Sequence, residues 1–131
     1  KDSAIFQIWL DPNIKKSILK EPIYRDYPSS IFNVNNNKKV IIGNESPVKI
    51  DSEKIEIFEL NLKENYNIKN KEDKILSIYI LSGELILSDN LLVEHDFFKI
   101  NGEKNIELKI NSPCKIFCVS AQKKISYKTY I

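Results

Sequence analysis

The sequence predicts an all-β domain with little helix, folded as a closed antiparallel barrel or as a two-sheet sandwich of the jelly-roll kind. Three observations support this fold class. Short runs rich in β-branched and aromatic residues recur along the whole chain. Asn, Gly, Asp and Pro separate these runs at close spacing, as turns do. The 131 residues are enough for one domain with a core of its own.

In the first half, "AIFQIWL" predicts a leading strand, and "SILKE" has room for one helical turn before Pro22 stops it. "KKVIIG" predicts a short strand. "KIEIFELNLK" alternates but changes parity near Phe58, which indicates a bulge or a strand that is apolar on both faces. The polar stretches "NVNNNKK" and "NLKENYNIKNKED" are predicted to be loops.

In the second half, "KILSIYIL" and "ELILS" flank Ser82 and Gly83, which predicts a hairpin that turns at this dipeptide. Four more strands are predicted at "LLVE", "DFFKI", "NIELKI" and "CKIFCVS". The final "ISYKTYI" is expected to form either an edge strand or a tail.

Composition and charge exclude several classes of protein. Apolar residues make up 42% of the chain and charged residues 29%, as in ordinary globular proteins. The net charge of +2 gives too weak a field to indicate nucleic acid. No run approaches the roughly 20 apolar residues of a membrane helix, so no membrane partner is expected. The chain contains no methionine, which suggests a processed product or a piece of a longer protein.

Cys114 and Cys118 would lie about 13 Å apart on one face of a strand, too far for a mutual disulfide. The pair is also a poor zinc signal, since neither histidine nor further cysteine lies nearby. Both are predicted to be small core residues in a reducing compartment, which points to the cytoplasm.

Four stretches together resemble a known family. "FQIWLDPNIKKSILKEPIY" resembles the segment after the first cupin domain of pirin-like proteins. "NESPVKIDSEKIEIFELNLKEN", "SIYILSGELILSDNLLVEHDFF" and "NIELKINSPCKIFCV" are similar, in order, to the family's second domain. The resemblance implies a cupin-type jelly-roll barrel of two antiparallel sheets. It also implies a single C-terminal domain over 1–131, with a leading strand and connecting segment at 1–30 and the barrel at 31–131.

Pirin-like proteins are bicupins, with two jelly-roll barrels in one chain. Their iron site, of three His and one Glu, lies in the N-terminal barrel. Some members are quercetin dioxygenases, and others are nuclear or metabolic regulators. The resemblance therefore implies that the catalytic half of such a protein is not part of this chain.

The cupin metal pattern, H-x-H-x(3,4)-E-x(6)-G, can be tested directly on the sequence. If Gly83 is its glycine, the glutamate position falls on Leu76. The two histidine positions fall on Lys69 and Lys71, or on Asn70 and Glu72. A transition metal needs three or four ligands, and the chain has one histidine, His95. We expect no metal, no cofactor and no catalytic residues.

The same alignment points Leu76, Ile78 and Ile80 into the barrel. They are expected to belong to a packed core or to line a dry apolar pocket for a small ligand. His95 is expected to be a partly exposed turn residue, bonded to Asp96 or to backbone, rather than a lone acid or base.

The opening segment predicts an interface. In bicupins this strand lies between the two barrels, so Phe6, Ile8, Trp9 and Tyr24 are expected to form apolar surface for a second barrel or another copy of the chain. A homodimer is expected. Nearby basic residues form a modest patch that is expected to be solvated: Lys15, Lys16, Lys20 and Arg25.

Three hypotheses follow for the function. The first is a metal-free C-terminal cupin domain that acts as a structural or interaction module without autonomous catalysis. The second is a small-molecule binding protein that uses an apolar barrel interior. The third is an enzyme that works without a metal or borrows one from a partner, and the missing ligands argue against it.

Overall fold

The structure is a computed structural model that describes residues 5–129. These residues contain one helical turn, α1, at Ile14–Ser17 and a 3-10 turn at Ser29–Ile31. The strands of the described residues are β1 Val34–Asn35, β2 Lys38–Ile42, β3 Glu56–Leu62, β4 Tyr66–Lys69, β5 Lys74–Leu87, β6 Asn90–Leu92, β7 Phe97–Asn101 and β8 Asn105–Gln122. The predicted all-β class with little helix is confirmed.

All strand pairs are antiparallel, and β8 lies at the centre of the sheet order β1-β2-β3-β8-β5-β6. The second half of β8 pairs with β3 and with the first half of β5. Its first half pairs with β4 and with the second half of β5. β7 covers the other edge of β5. The two long strands thus pass together from one layer of the jelly roll to the other.

The predicted hairpin at Ser82 and Gly83 is wrong, because β5 continues through both residues. The register between β5 and β8 shifts repeatedly between Ile80 and Leu85, which marks a bulged corner. Gly83 has φ +84°, where only glycine is unstrained. The true hairpin turn lies between β5 and β6 at Ser88 and Asp89, with φ +48° and +64°. A glycine with positive φ serves a bulge as well as a turn, so the motif alone does not separate them.

Four other sequence predictions need correction. Residues 5–13 form no strand, although "AIFQIWL" predicted one, and its Ala4 lies outside the described residues. "NVNNNKK" is a hairpin between β1 and β2 rather than a loop, with Asn36 and Asn37 both at positive φ. "NLKENYNIKNKED" contains β4, whose Ile68 is buried. The helical turn lies at Ile14–Ser17, whereas the prediction placed it in "SILKE", which begins at Ser17.

The parity change at Phe58 is real. Ile57 and Phe58 are both buried, and the extra residue lies on β2, where the register shifts between Val40 and Ile42. Residues 123–129 form no strand, which agrees with the prediction of a tail rather than an edge strand. Residues 130 and 131 lie outside the described residues.

The core lies between the layers and is almost wholly aliphatic. Its fully buried members include Leu60, Leu85, Leu108 and Ile116. Cys114 and Cys118 are buried, unpaired core residues, as predicted. Burial raises the pKa of the Cys114 thiol to about 11 and raises the pKa of Cys118 further. Both side chains therefore pack as small apolar groups.

Candidate functional site

The N-terminal arm, residues 5–32, lies on the outside of the barrel. Phe6 stacks on Phe117 of β8, with ring centroids 5.2 Å apart and planes 5° apart. The same ring meets Tyr79 of β5 edge to face at 5.1 Å. Such aromatic pairs are worth about 0.5–1.5 kcal/mol each beyond their buried area. Phe6 therefore fixes the start of the arm across the two central strands.

Further along, the arm is attached to the loop at residues 50–54. The backbone N–H of Asn13 donates to the carbonyl oxygen of Asp51 at 2.9 Å. Lys20 Nζ lies 2.7 Å from an Asp51 carboxylate oxygen. The Ser52 hydroxyl donates to the Asp11 carbonyl oxygen at 2.9 Å. Because the Lys20–Asp51 pair is exposed, most of this attachment rests on the Asn13 backbone bond and on the Ser52 hydroxyl bond.

The C-terminal tail closes over the same loop. The Tyr127 hydroxyl donates to the Asp11 carbonyl oxygen at 2.9 Å and accepts from the Glu53 N–H at 3.3 Å. The Ser126 N–H donates to Glu53 Oε2 at 2.8 Å. This backbone bond, first among several causes, lowers the pKa of Glu53 from its ordinary value. Arm, loop and tail thus form one hydrogen-bonded unit.

The outer surface of the arm carries several large apolar side chains among charged ones. Trp9 and Tyr24 are each 86% exposed, and Leu19 is 93% exposed. Three more large apolar side chains of the arm are also exposed: Ile5, Ile18 and Ile23. Of the four residues predicted as an interface, Trp9 and Tyr24 thus face solvent, and Ile8 and Phe6 are each about half exposed. The ring of Phe6 also packs on the barrel. Lys15, Lys16 and Arg25 of the predicted patch are exposed.

His95 is an exposed turn residue with φ +74°. Its Nδ1 lies 2.9 Å from the Tyr79 hydroxyl, and its Nε2 lies 3.6 Å from Glu94. The expected side-chain partner Asp96 instead accepts from the Val93 N–H at 2.8 Å. The His95 N–H donates to the Ile80 carbonyl oxygen at 2.9 Å, as the backbone alternative expected. His95 therefore links this turn to β5.

One end of the barrel opens into a cavity of about 370 Å³, here called the barrel-end cavity. Its floor is apolar and consists of Phe58, Ile68 and Leu76. Its polar lining residues are Lys38, Glu56, Tyr66, Asn67, Lys69, Asn70, Lys71, Lys74 and Ser120. The cavity adjoins a larger cleft of about 740 Å³, with which it shares Tyr66, Lys71 and Lys74 among others.

The register of the strands explains this assembly. Ser120 of β8 pairs with Glu56 of β3 on one side and with Leu76 of β5 on the other. Lys38 forms an ion pair with Glu56, and its Nζ lies 4.0 Å from the centre of the Phe58 ring. This position suits a cation above an aromatic face. The wall at Lys38 and Glu56 is thereby neutralised and fixed.

The predicted pocket residues behave differently from one another. Leu76 lines the barrel-end cavity, whereas Ile78 and Ile80 are fully buried in the core cluster and are not among the lining residues. The interior beside Ile78 and Ile80 is filled by side chains.

The residues at the cupin metal positions do not fit a metal. Lys69, Asn70, Lys71 and Leu76 all line the barrel-end cavity. Glu72 is exposed and pairs with Lys104 at 2.8 Å. Within residues 5–129, no cluster of three or more His, Cys, Asp or Glu side chains is placed to hold a metal ion. Lysine ammonium and leucine groups supply no ligand for a transition metal at neutral pH.

Sequence reasoning did not identify Lys38, Phe58, Tyr66 or Ser120 as members of one site. They come from four different strands, and only the register brings them together. One sequence signal for β4 was present: Tyr66 and Ile68 are apolar residues two positions apart, inside the polar stretch before β5.

Comparison with solved structures identifies the class of fold. Two structures of quercetin 2,3-dioxygenase from Acinetobacter baumannii match with TM-scores of 0.58 and 0.59, each at 15% identity, over 65% and 76% of this chain. Ectoine synthase from P. lautus matches with a TM-score of 0.51 at 12% identity, over 70% of this chain and 68% of its own. The barrel is therefore a cupin-type jelly roll, as the sequence predicted.

The chain spans only 32% and 35% of the two quercetin dioxygenase chains. No protein-family model matches the sequence, and the search of curated proteins gives no match. None of the helices in residues 5–129 is both long and apolar enough to cross a membrane.

Proposed function

We propose that this chain is an interaction module, a metal-independent cupin domain organised like the C-terminal domain of a pirin-like protein. It has no catalytic activity of its own. Its N-terminal arm docks on a second cupin barrel. The observation that carries this proposal is the exposure of Trp9, Leu19 and Tyr24 on an arm whose other contacts are already made to the barrel.

The area available on the arm fits such an interface. A standard interface buries about 800 Å² on each partner. Trp9 and Tyr24 together would bury about 300 Å² or more, because each aromatic side chain contributes roughly 150–250 Å². The exposed Leu19, Ile18 and Ile23 supply much of the remainder. Contiguous apolar patches larger than a few hundred Å² are rare on soluble monomers, and they commonly mark interaction sites.

A second cupin barrel is the proposed occupant, because the pirin-like proteins that the sequence resembles are bicupins. The matched quercetin dioxygenase chains are about three times as long as the region that this chain covers. In a preparation of this chain alone, the second barrel is another copy, so a homodimer is expected. The two unpaired, buried cysteines fit a reducing compartment, and we place the module in the cytoplasm.

Sedimentation velocity of the purified chain and two variants tests the proposal. The double variant Trp9→Ala/Tyr24→Ala should shift the dimer to monomer without a change in metal content. Phe97→Ala is the matched control, because Phe97 is 64% exposed on β7 and lies outside the arm. It should leave the dimer intact. A wild-type monomer at high micromolar concentration, or equal dimerisation of both variants, would overturn the proposal.

A second candidate function is small-molecule binding, which the barrel-end cavity favours. This cavity lies at the mouth of the barrel beside Leu76, not deep beside Ile78 and Ile80. The residues that line it are basic as well as apolar. An apolar ligand enclosed by the barrel interior is therefore not the form of this function that the geometry favours.

A further inference from the structure

We propose that the barrel-end cavity binds a small organic carboxylate, with its apolar body on Phe58 and Leu76 and its carboxylate facing Lys71 and Lys74. This site is separate from the arm, and the inference does not depend on the docking proposal. The cupin pattern would place a metal cation at these positions. In this proposal an organic anion takes its place.

The charge of the cavity points to an anion. Four lysines line it against one carboxylate, Glu56. Glu56 is already neutralised by Lys38. Among the described residues, no carboxylate lies within ion-pair distance of Lys69, Lys71 or Lys74. Lys69 is exposed and alternates with the buried Ile68 on β4, so the surplus of positive charge at the cavity rests on Lys71 and Lys74.

The Ser120 hydroxyl provides a second observation. Ser120 is only 5% exposed and lines the cavity. Its hydroxyl has no hydrogen-bond partner among the described residues, and its oxygen is not fully buried. The hydroxyl is therefore free to donate to a carboxylate oxygen in the cavity, or to a water held beneath it.

The floor distinguishes an organic anion from an inorganic one. Phe58 and Ile68 are buried core residues, and together with Leu76 they form one apolar surface at the bottom of the cavity. Inorganic phosphate gains nothing from this surface, whereas an alkyl or aryl chain is removed from water there. A volume of about 370 Å³ is within the range of small-ligand sites.

The experiment is an NMR titration of the ¹⁵N-labelled chain with hexanoate, with hexan-1-ol and with inorganic phosphate. Hexanoate should give saturable shifts confined to the amides around Ser120, Leu76 and Lys71. Hexan-1-ol and phosphate should each bind at least about tenfold more weakly, because each lacks one half of the recognition. Added NaCl should weaken hexanoate binding.

The variant Lys71→Gln/Lys74→Gln should raise the Kd for hexanoate about tenfold while its spectrum stays folded. The matched control Lys99→Gln/Lys109→Gln removes the same charge from exposed positions on β7 and β8 that do not line the cavity. It should leave the Kd unchanged. Three results would each overturn the proposal: no saturable shifts with millimolar hexanoate, equal binding of phosphate, or equal losses in the two double variants.

Discussion

The backbone of Gly83 lies so close to Pro113 that an ideal Cβ on Gly83 would stand 2.1 Å from the Pro113 carbonyl oxygen. It would also lie 2.8 Å from the Cα of Cys114. The contact joins the bends of β5 and β8, and the segment of β5 before it carries Leu76 to the barrel-end cavity. The corner therefore sets the position of both the core and the cavity floor.

Replacing Gly83 by alanine should destabilise the protein severely, by about 3 kcal/mol or more, because a backbone clash adds to positive-φ strain. Chemical denaturation measures this loss. Gly102→Ala is the matched control, since Gly102 has φ +86° but the nearest atom to an added Cβ is the flexible end of Lys123 at 3.8 Å. It should lose only about 1 kcal/mol from backbone strain. Equal losses in both variants would contradict the role of the corner.

Phe6→Ala should release the arm from the barrel, because it removes the stacking on Phe117 and the edge contact with Tyr79. Hydrogen exchange at the Asn13 amide, which donates to Asp51, reports the attachment and should become faster. Trp9→Ala should leave this exchange unchanged in the monomer, since Trp9 is exposed. If Asn13 exchanged faster only in the Trp9 variant, Trp9 rather than Phe6 would hold the arm on the barrel, and this prediction would be wrong.

The tail contact at Glu53 should depend on pH. The folded pKa of Glu53 lies below its ordinary 4.5, chiefly because the Ser126 N–H donates to the carboxylate. The stabilisation is therefore complete above pH 4.5 and is lost as the pH falls through the lower folded value. The Ser126 amide shift should titrate with a midpoint below 4.5, and Glu53→Gln should abolish this step. A midpoint at or above 4.5 would disprove the contact.

Both thiols should resist a disulfide reagent at pH 8 until the chain unfolds, because thiolate is the reactive form. The pKa of Cys114 rises from 9.0 to about 11, so the folded thiol stays protonated where the unfolded one ionises. Stability should consequently fall as the pH rises from about 9 toward 11. Rapid labelling in native buffer would contradict the burial of these side chains.

Much of this fold was predictable from local patterns, and its connections were not. Period-two runs identified most strands, and the parity change at Phe58 was visible because two neighbouring apolar side chains are buried there. β4 was missed because a single buried residue, Ile68, stands in a polar stretch. Gly83 was assigned to a hairpin because positive φ occurs in turns and in bulges alike.

The candidate sites show the same division. Trp9 and Tyr24 were predicted as surface from resemblance, and the packing of Phe6 against β8 depends on a contact more than one hundred residues away in sequence. The barrel-end cavity depends on the alignment of Ser120 with Glu56 and Leu76 across three strands. Register is a property of the whole sheet, so no single segment encodes it.

Native mass spectrometry of the purified chain tests the central claim, docking through the arm, most directly. The account predicts a dimer without bound metal that becomes a monomer when Trp9 and Tyr24 are replaced by alanine. A wild-type monomer, or a dimer that persists in this double variant, would contradict docking through the arm. A stoichiometric iron or zinc ion would contradict the metal-independent part of the proposal.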